Sequence, residues 1–184
     1  MRLFTAIDLP ACIEDALARV VVQLRPAARI HWSPRENFHI TTKFLGEWPE
    51  ERLDELLCAL DGLAPRDGIP IEVRGLGWFP NPHSPRIFWA GVKAPPALPE
   101  LARETDTATA ALGISPETRN FSPHLTLARI KEPLSLAALR QEVARLSSDE
   151  FGSFVADRFA LYRSDLRPSG SVYSKIAEFV LART

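Results

Sequence analysis

Asn37-Phe38-His39-Ile40-Thr41-Thr42-Lys43-Phe44-Leu45-Gly46 has an echo later in the chain, Asn120-Phe121-Ser122-Pro123-His124-Leu125-Thr126-Leu127-Ala128-Arg129. Each stretch contains the string His-x-Thr-x, and together they use two of only four histidines. Given the threonine content, two such hits among four histidines arise by chance in roughly one or two chains per hundred. In an extended strand side chains alternate faces with a period of two, so the His and Thr of each string share a face. Two such strands facing one another place two imidazoles and two hydroxyls in one cleft. An imidazole gives or takes a proton near neutral pH, and a positioned pair can serve as base and acid. The natural task is in-line displacement at phosphorus. One of His39 and His124 would deprotonate a water while the other protonates the departing oxygen. The hydroxyls of Thr41 and Thr126 would donate to non-bridging oxygens, where charge grows in the transition state. A strained five-membered cyclic phosphate suits this equipment, because its leaving oxygen needs no metal.

Around the two strings the pattern alternates between helix and strand. Arg2 to Leu9 reads as a buried strand with Asp8 at its end. A helix from Ala11 to Leu24 is striped by Ile13, Leu17, Val20, Val21 and Leu24 at helical spacing. The first motif strand, Phe38 to Leu45, is followed by a helix opening at Pro49 with Gly62 as its stop. Ile69 to Phe79 and Arg86 to Val92 read as strands around a proline-rich turn. After the stiff Ala94-Pro95-Pro96 connector come a helix (Leu98 to Leu112, with Gly113 as its stop) and the second motif strand, Pro123 to Ile130. A fourth helix spans Ser135 to Leu146. Two strand segments, Ser153 to Ser164 and Val172 to Leu181, close the chain around Arg167-Pro168-Ser169-Gly170. Helix, motif strand, helix thus occurs twice. The expectation is an α+β, bilobed, pseudo-symmetric fold, one domain over residues 1–184. It would have two mainly antiparallel sheets, helices outside and a central cleft. Strand order does not follow from the sequence.

At 184 residues the chain is long enough to bury a substantial core, and a formal net charge of −1 argues against a broad basic surface for duplex nucleic acid. Cys12 and Cys58 are far apart and form no C-x-x-C; each falls in an amphipathic helix, where a buried free thiol is expected. No Asp, Glu or Cys joins the histidines at ligand spacing, so no metal site is expected. The N-terminus reads as a strand rather than a signal segment, and no apolar run reaches membrane-spanning length. A soluble, cytoplasmic protein is expected, with no membrane association and no obligatory protein partner.

His39-Ile-Thr-Thr-Lys-Phe-Leu-Gly and Ser122-Pro-His-Leu-Thr-Leu-Ala-Arg resemble the tandem motifs of the 2H phosphoesterase superfamily, and within it the RNA 2′,3′-cyclic phosphodiesterases, also called 2′-5′ RNA ligases. The resemblance extends to Arg2-Leu3-Phe4-Thr5-Ala6-Ile7, to the Trp32–Gly46 block, and to Leu161-Tyr162-Arg163-Ser164 through Tyr173. It implies hydrolysis of RNA 2′,3′-cyclic phosphate ends to 2′-phosphomonoesters without metal or nucleotide cofactor. It also implies that His39 is the proton donor to the leaving 3′ oxygen and His124 the proton acceptor from water. The same pair run backwards would account for 2′-5′ ligation. Thr42 departs from the family's usual apolar fourth position; by parity it faces away from His39 and bears on packing.

Further candidates surround the four motif residues. Lys43 shares parity with His39 and either adds positive charge to the cleft or is a solvated strand-end lysine. Arg129 falls on the opposite face from His124 by strict alternation; it reaches a phosphate only if the strand twists, bulges or ends there. The resemblance favours a phosphate role, against the alternative of a surface salt bridge. Phe44 and Trp89 are candidate base-stacking platforms with a core role as the alternative, and Tyr173 either reaches the site or belongs to the core. His31 and His83 lack the spacing and read as strand-edge or loop residues. Two rival functions remain: a 2H phosphodiesterase for a small cyclic nucleotide, and a non-catalytic RNA- or nucleotide-binding module.

Overall fold

The computed structural model describes residues 1–168 and 170–182, so Ser169 of the expected closing turn lies outside the described residues. The chain runs β1 (Arg2–Ile7), α1 (Ala11–Leu24), β2 (His31–Trp32), β3 (Ile40–Glu47), α2 (Leu53–Asp61), β4 (Ile69–Phe79) and β5 (Ile87–Lys93). It continues through α3 (Ala97–Ala110), β6 (His124–Arg129), α4 (Ala137–Ala144), β7 (Glu150–Ala156), β8 (Arg158–Arg167) and β9 (Gly170–Val180). Five of the six β1 residues are buried, as an inner strand covered on both faces requires. That strand lies between β3 and β8 in an antiparallel sheet of order β3-β1-β8-β9. The second sheet, also antiparallel, has the order β2-β6-β5-β4-β7. One motif strand therefore belongs to each sheet, as expected of a bilobed α+β fold.

The helices cross over between sheets. Helix α1 leaves the first sheet and packs against β7 of the second, while α3 leaves the second and packs against β3 of the first. The stripe Ile13, Leu17, Val21 and Leu24 is the buried face of α1. Leu98, Leu101, Ala102, Thr105 and Thr109 play that part in α3, which ends where Gly113 turns at φ +96°, a conformation that favours glycine. A continuous apolar core joins Leu3, Ile7 and Leu161 of the first sheet to Phe88, Leu125 and Leu127 of the second.

Three expectations need correction. Ser153 to Ser164 is not one strand: the chain breaks at Asp157, β7 edges the second sheet, and β8 crosses into the first. No Gly or Pro marks the break; it is set by pairing, with the Asp157 carbonyl accepting from Leu181 N–H. The short strand β2 has no counterpart in the sequence pattern, and it carries His31 on the edge beside β6. Cys12 and Cys58 are free thiols on α1 and α2, but both are exposed, because the apolar stripes turn Ile13 and Leu56 inward instead. Among the described residues, no helix is long and apolar enough to cross a membrane.

Candidate active site

His39 directly precedes β3, and His124 opens β6, opposite Gly91 of β5. The two motif strands approach across the sheets, with Cα atoms within 8 Å. Each imidazole is fixed in the same way. His124 Nδ1 lies 2.8 Å from the Ser122 carbonyl, which can only accept, so Nδ1 carries the hydrogen and Nε2 is left with its lone pair. His39 is held by a hydrogen bond to the backbone of Asn37, also two residues back, and its Nε2 lies 3.1 Å from Thr41 Oγ1. In the neutral ring the Thr41 hydroxyl donates to that nitrogen; protonation of the ring reverses the bond.

Strict alternation holds only as far as the threonines. In the pairing of β3 with β1, Thr41 faces Ala6 and Lys43 faces Thr5, so Thr42 is an inserted residue. In the pairing of β6 with β5, Thr126 faces Trp89 and Ala128 faces Phe88, so Leu127 is inserted. Both bulges occupy the fourth position of the His-x-Thr-x string. A bulge adds one residue to its strand and resets which face the following side chains take. Thr42 and Lys43 are both buried, as are Leu127 and Ala128, while Phe44 and Arg129 emerge on the exposed side. Phe44 and Arg129 thus hold equivalent places in the two sheets, each on the face of its own His and Thr.

Lys43 is accordingly not a cleft residue, nor is it solvated. It is 3% exposed and turned toward α3, its Nζ 2.6 Å from Asp106 Oδ1 and donating to the Ser115 carbonyl. Thr42 faces away from His39, as expected, and its hydroxyl bonds that of Thr5 at 2.7 Å. Arg129 comes to the His124 face by the bulge that alternation alone could not supply. The carbonyl of the inserted Leu127 accepts from Ser33 N–H at 2.8 Å.

Aromatic rings wall both imidazoles. Phe4 lies under His39 with centroids 4.8 Å apart, Tyr173 meets His39 edge-on at 5.2 Å, and Tyr162 stacks on the Phe4 ring at 5.4 Å. Phe44 is 42% exposed, in contact with Phe4 and with the Arg2 guanidinium 5.8 Å above its ring. On the other sheet, Phe79 meets His124 edge-on at 4.9 Å and lies tilted against Trp89 at 5.1 Å. Trp89 stands beside Thr126 and lies flat across Gly77, where a Cβ would come within 2.2 Å of its ring. Tyr173 and Phe44 thus join the Phe4 ring that underlies His39, Trp89 pairs with Thr126, and His31 pairs with Arg129.

The electrostatics separate the two histidines. Burial, above all, pushes His39 down to about 4, with the charges of Arg129 and His124 adding to the fall, while its bond to Asn37 and the charge of Asp8 oppose it. His124 is also lowered, by burial first and Arg129 next, against the support of the Ser122 carbonyl. Arg129 therefore acts on both rings. The residues that sequence reasoning did not place at the site are Phe79, Asp8, Tyr162 and Lys175. Asp8 accepts from Tyr162 Oη at 2.5 Å and from Lys175 Nζ at 2.6 Å. A polar cavity of about 280 Å³ opens beside His39, lined by Asp8, Glu14, Glu36, Tyr162 and Tyr173 among others. Asp8 ending a buried strand, and the Tyr162–Tyr173 segment already noted for its resemblance, were the available signals. Among the described residues no group of three or more His, Cys, Asp or Glu converges as a metal site.

A histidine–threonine pair in each sheet, with an arginine whose charge acts on both rings, is the arrangement expected of a 2H phosphoesterase. Comparison with known proteins gives the family. The LigT like Phosphoesterase family matches residues 7–89 and again 92–173, one match for each half of the chain. The chain is 34% identical over 183 residues to the RNA 2′,3′-cyclic phosphodiesterase of Methanothermobacter thermautotrophicus, covering 98% of this chain and 99% of that one. With the protein of the same name from Methanocaldococcus jannaschii it shares 36% over 179 residues, covering 97% and 100%. Among solved structures, a protein of Thermus thermophilus superposes with a TM-score of 0.82 at 32% identity, covering 98% of both chains. E. coli LigT complexed with 3′-AMP superposes with a TM-score of 0.81 at 26% identity, covering 99% and 98%. The chain belongs to the LigT-like phosphoesterases of the 2H superfamily.

Proposed function

We propose that this enzyme hydrolyses 2′,3′-cyclic phosphate ends of RNA to 2′-phosphomonoesters by metal-independent two-histidine catalysis, the chain working as one bilobed, cytoplasmic, monomeric unit. The observation that carries the reading is the matched pair of bulged strands. Each histidine is hydrogen-bonded to the backbone two residues back, each is followed by a threonine and a bulge, and the charge of Arg129 acts on both rings. In the first motion His124 Nε2 takes a proton from water as its oxygen attacks phosphorus. As the P–O3′ bond breaks, His39 Nε2–H gives its proton to O3′, leaving the phosphate on O2′. Thr41, Thr126 and Arg129 hold the non-bridging oxygens, and Arg129 meets the charge that grows on them. Phe44, Trp89 and Tyr173 offer ring faces to the bases.

A ring held at about 4 is a poor acid at neutral pH until something restores its proton. The substrate supplies that charge. A phosphate anion about 4 Å away, at an effective dielectric near 20, favours the imidazolium by about 4 kcal/mol, roughly three pKa units. His39 thus becomes protonated as the substrate arrives. The names of the relatives support RNA as the substrate, and reversal of the same steps would join ends through a 2′-5′ linkage.

The test is incubation of an oligoribonucleotide ending in a 2′,3′-cyclic phosphate with the protein in EDTA. The 2′-phosphate is expected. A 3′-phosphate product or abolition by EDTA overturns the mechanism, and turnover confined to mononucleotides overturns the RNA assignment. His39→Ala and His124→Ala should each lose at least ~10²-fold in turnover while binding nucleotide, since positioned proton transfers contribute that much apiece. Full retention of turnover would indicate a binding module with an unrelated contaminating activity.

A further inference from the structure

The two histidines are nearly equivalent: each is hydrogen-bonded to a carbonyl two residues back, backed by a phenylalanine, followed by a threonine and a bulge. A reaction that needs one acid and one base requires something to break that equivalence. We propose that Asp8, clamped by Tyr162 and Lys175 at the rim of the cavity beside His39, is a positioning residue that raises the proton affinity of His39, so that this ring takes up a proton beside the bound phosphate and serves as the acid of the pair.

The geometry is one-sided. Asp8 follows the last residue of β1, and Ile7 pairs with Ile40 next to His39. The carboxylate and the imidazole line the same cavity. Its two oxygens are held separately, Oδ1 by Tyr162 Oη and Oδ2 by Lys175 Nζ. Tyr162 is in turn stacked on Phe4, the ring that underlies His39, so carboxylate and imidazole are referred to one aromatic stack. Tyr162 is held as the neutral phenol, raised well above its ordinary range by burial and by Asp8. Lys175 stays an ammonium: partial burial opposes its charge, but Asp8 and Glu178 outweigh that.

The other charged and titratable groups facing His39 do not do this work. Arg129 and His124 on β6 oppose its proton. Glu14 on α1 is paired with Arg35 at 3.2 Å, and Glu36 on the preceding turn is exposed to screening water. Tyr162 is held as the neutral phenol, and Lys175 is spent on Asp8 and Glu178. Asp8 favours the proton on His39 and does not figure among the groups acting on His124.

The inference rests on the proposed two-histidine reaction, and its test separates the two. Ring-nitrogen NMR of the free protein, which needs no substrate, should show the His39 titration of Asp8→Asn moved to lower pH while His124 stays in place. In turnover of a 2′,3′-cyclic phosphate, the alkaline limb of kcat should move down by about one pH unit, a tenfold loss of acid form per unit, with KM little changed. Tyr162→Phe, which keeps the carboxylate but removes one of its anchors, should shift both readouts the same way by less. It also decides the matter if Asp8→Asn fails to fold. An unmoved His39 titration, an equal shift at His124, or a wild-type alkaline limb overturns the role of Asp8. Absence of turnover in the wild type with the NMR shift present would instead sink the reaction and leave the electrostatic coupling standing.

Discussion

Acid stability offers a direct measurement of how the fold treats His39. Its ring is neutral in the folded protein and held at about 4, against an ordinary value near 6.5, with burial as the leading cause. A histidine lowered by folding binds its proton more readily in the unfolded chain. The stability this represents is complete above ~6.5 and drains away as pH falls toward 4. Two and a half units correspond to about 3 kcal/mol. Water on the open side of the half-buried ring relaxes part of that, which leaves about 2 kcal/mol as the expected figure. The perturbation is His39→Gln, which cannot take up the proton. Urea unfolding of both proteins at pH 7 and pH 4 gives two pH differences, and subtracting one from the other cancels every carboxylate and His124, which both proteins share. Wild type should lose about 2 kcal/mol more than the variant between those pH values. Equal losses, within about 0.5 kcal/mol, would refute the claim that the ring is kept neutral by its surroundings.

Other substitutions test the remaining assignments. Arg129→Met should lower kcat/KM for the cyclic phosphate by ~10²-fold or more without lowering the melting temperature, as expected of an exposed charge that meets phosphate; wild-type kinetics would return it to the surface. Lys43→Met should do the reverse, because it breaks a buried pair with Asp106. A loss of about 3 kcal/mol with unchanged KM is expected, and a raised KM at full stability would restore Lys43 to the cleft. Thr42→Val deletes one buried hydroxyl contact with Thr5, so a loss of about 1 kcal/mol and normal turnover should follow; a large drop in kcat would implicate the hydroxyl in the chemistry. Phe44→Ala should raise KM for an oligonucleotide by roughly tenfold, the loss of one stacked base, measured against Val22→Ala as an exposed apolar control.

Period-two alternation is enough to pair His39 with Thr41 and His124 with Thr126, since it needs only the three residues concerned. It fails at the next step because a bulge is decided by the partner strand. Nothing local in Thr42-Lys43 or Leu127-Ala128 announces that one residue will be left unpaired against β1 or β5. The sequence misplaces Lys43 and leaves Arg129 undecided for the same reason. Helix positions are legible from their apolar stripes, and strand order is not, because β1 finds β8 across most of the chain. Asp8 and Tyr162 meet through that pairing, and no spacing rule spans it.

The twin bulges act as a phase shift placed just downstream of the two His-x-Thr pairs. In the proposed reaction the two sheets must match upstream of it, since each would aim a nitrogen and a hydroxyl at the same phosphorus. Beyond it, the residue that next meets the cleft is free to differ, and it does: an aromatic ring on one side, a guanidinium on the other. A symmetric scaffold can thereby grip an asymmetric molecule, a nucleotide with a flat base at one end and an anion at the other, without disturbing the register of the catalytic pairs.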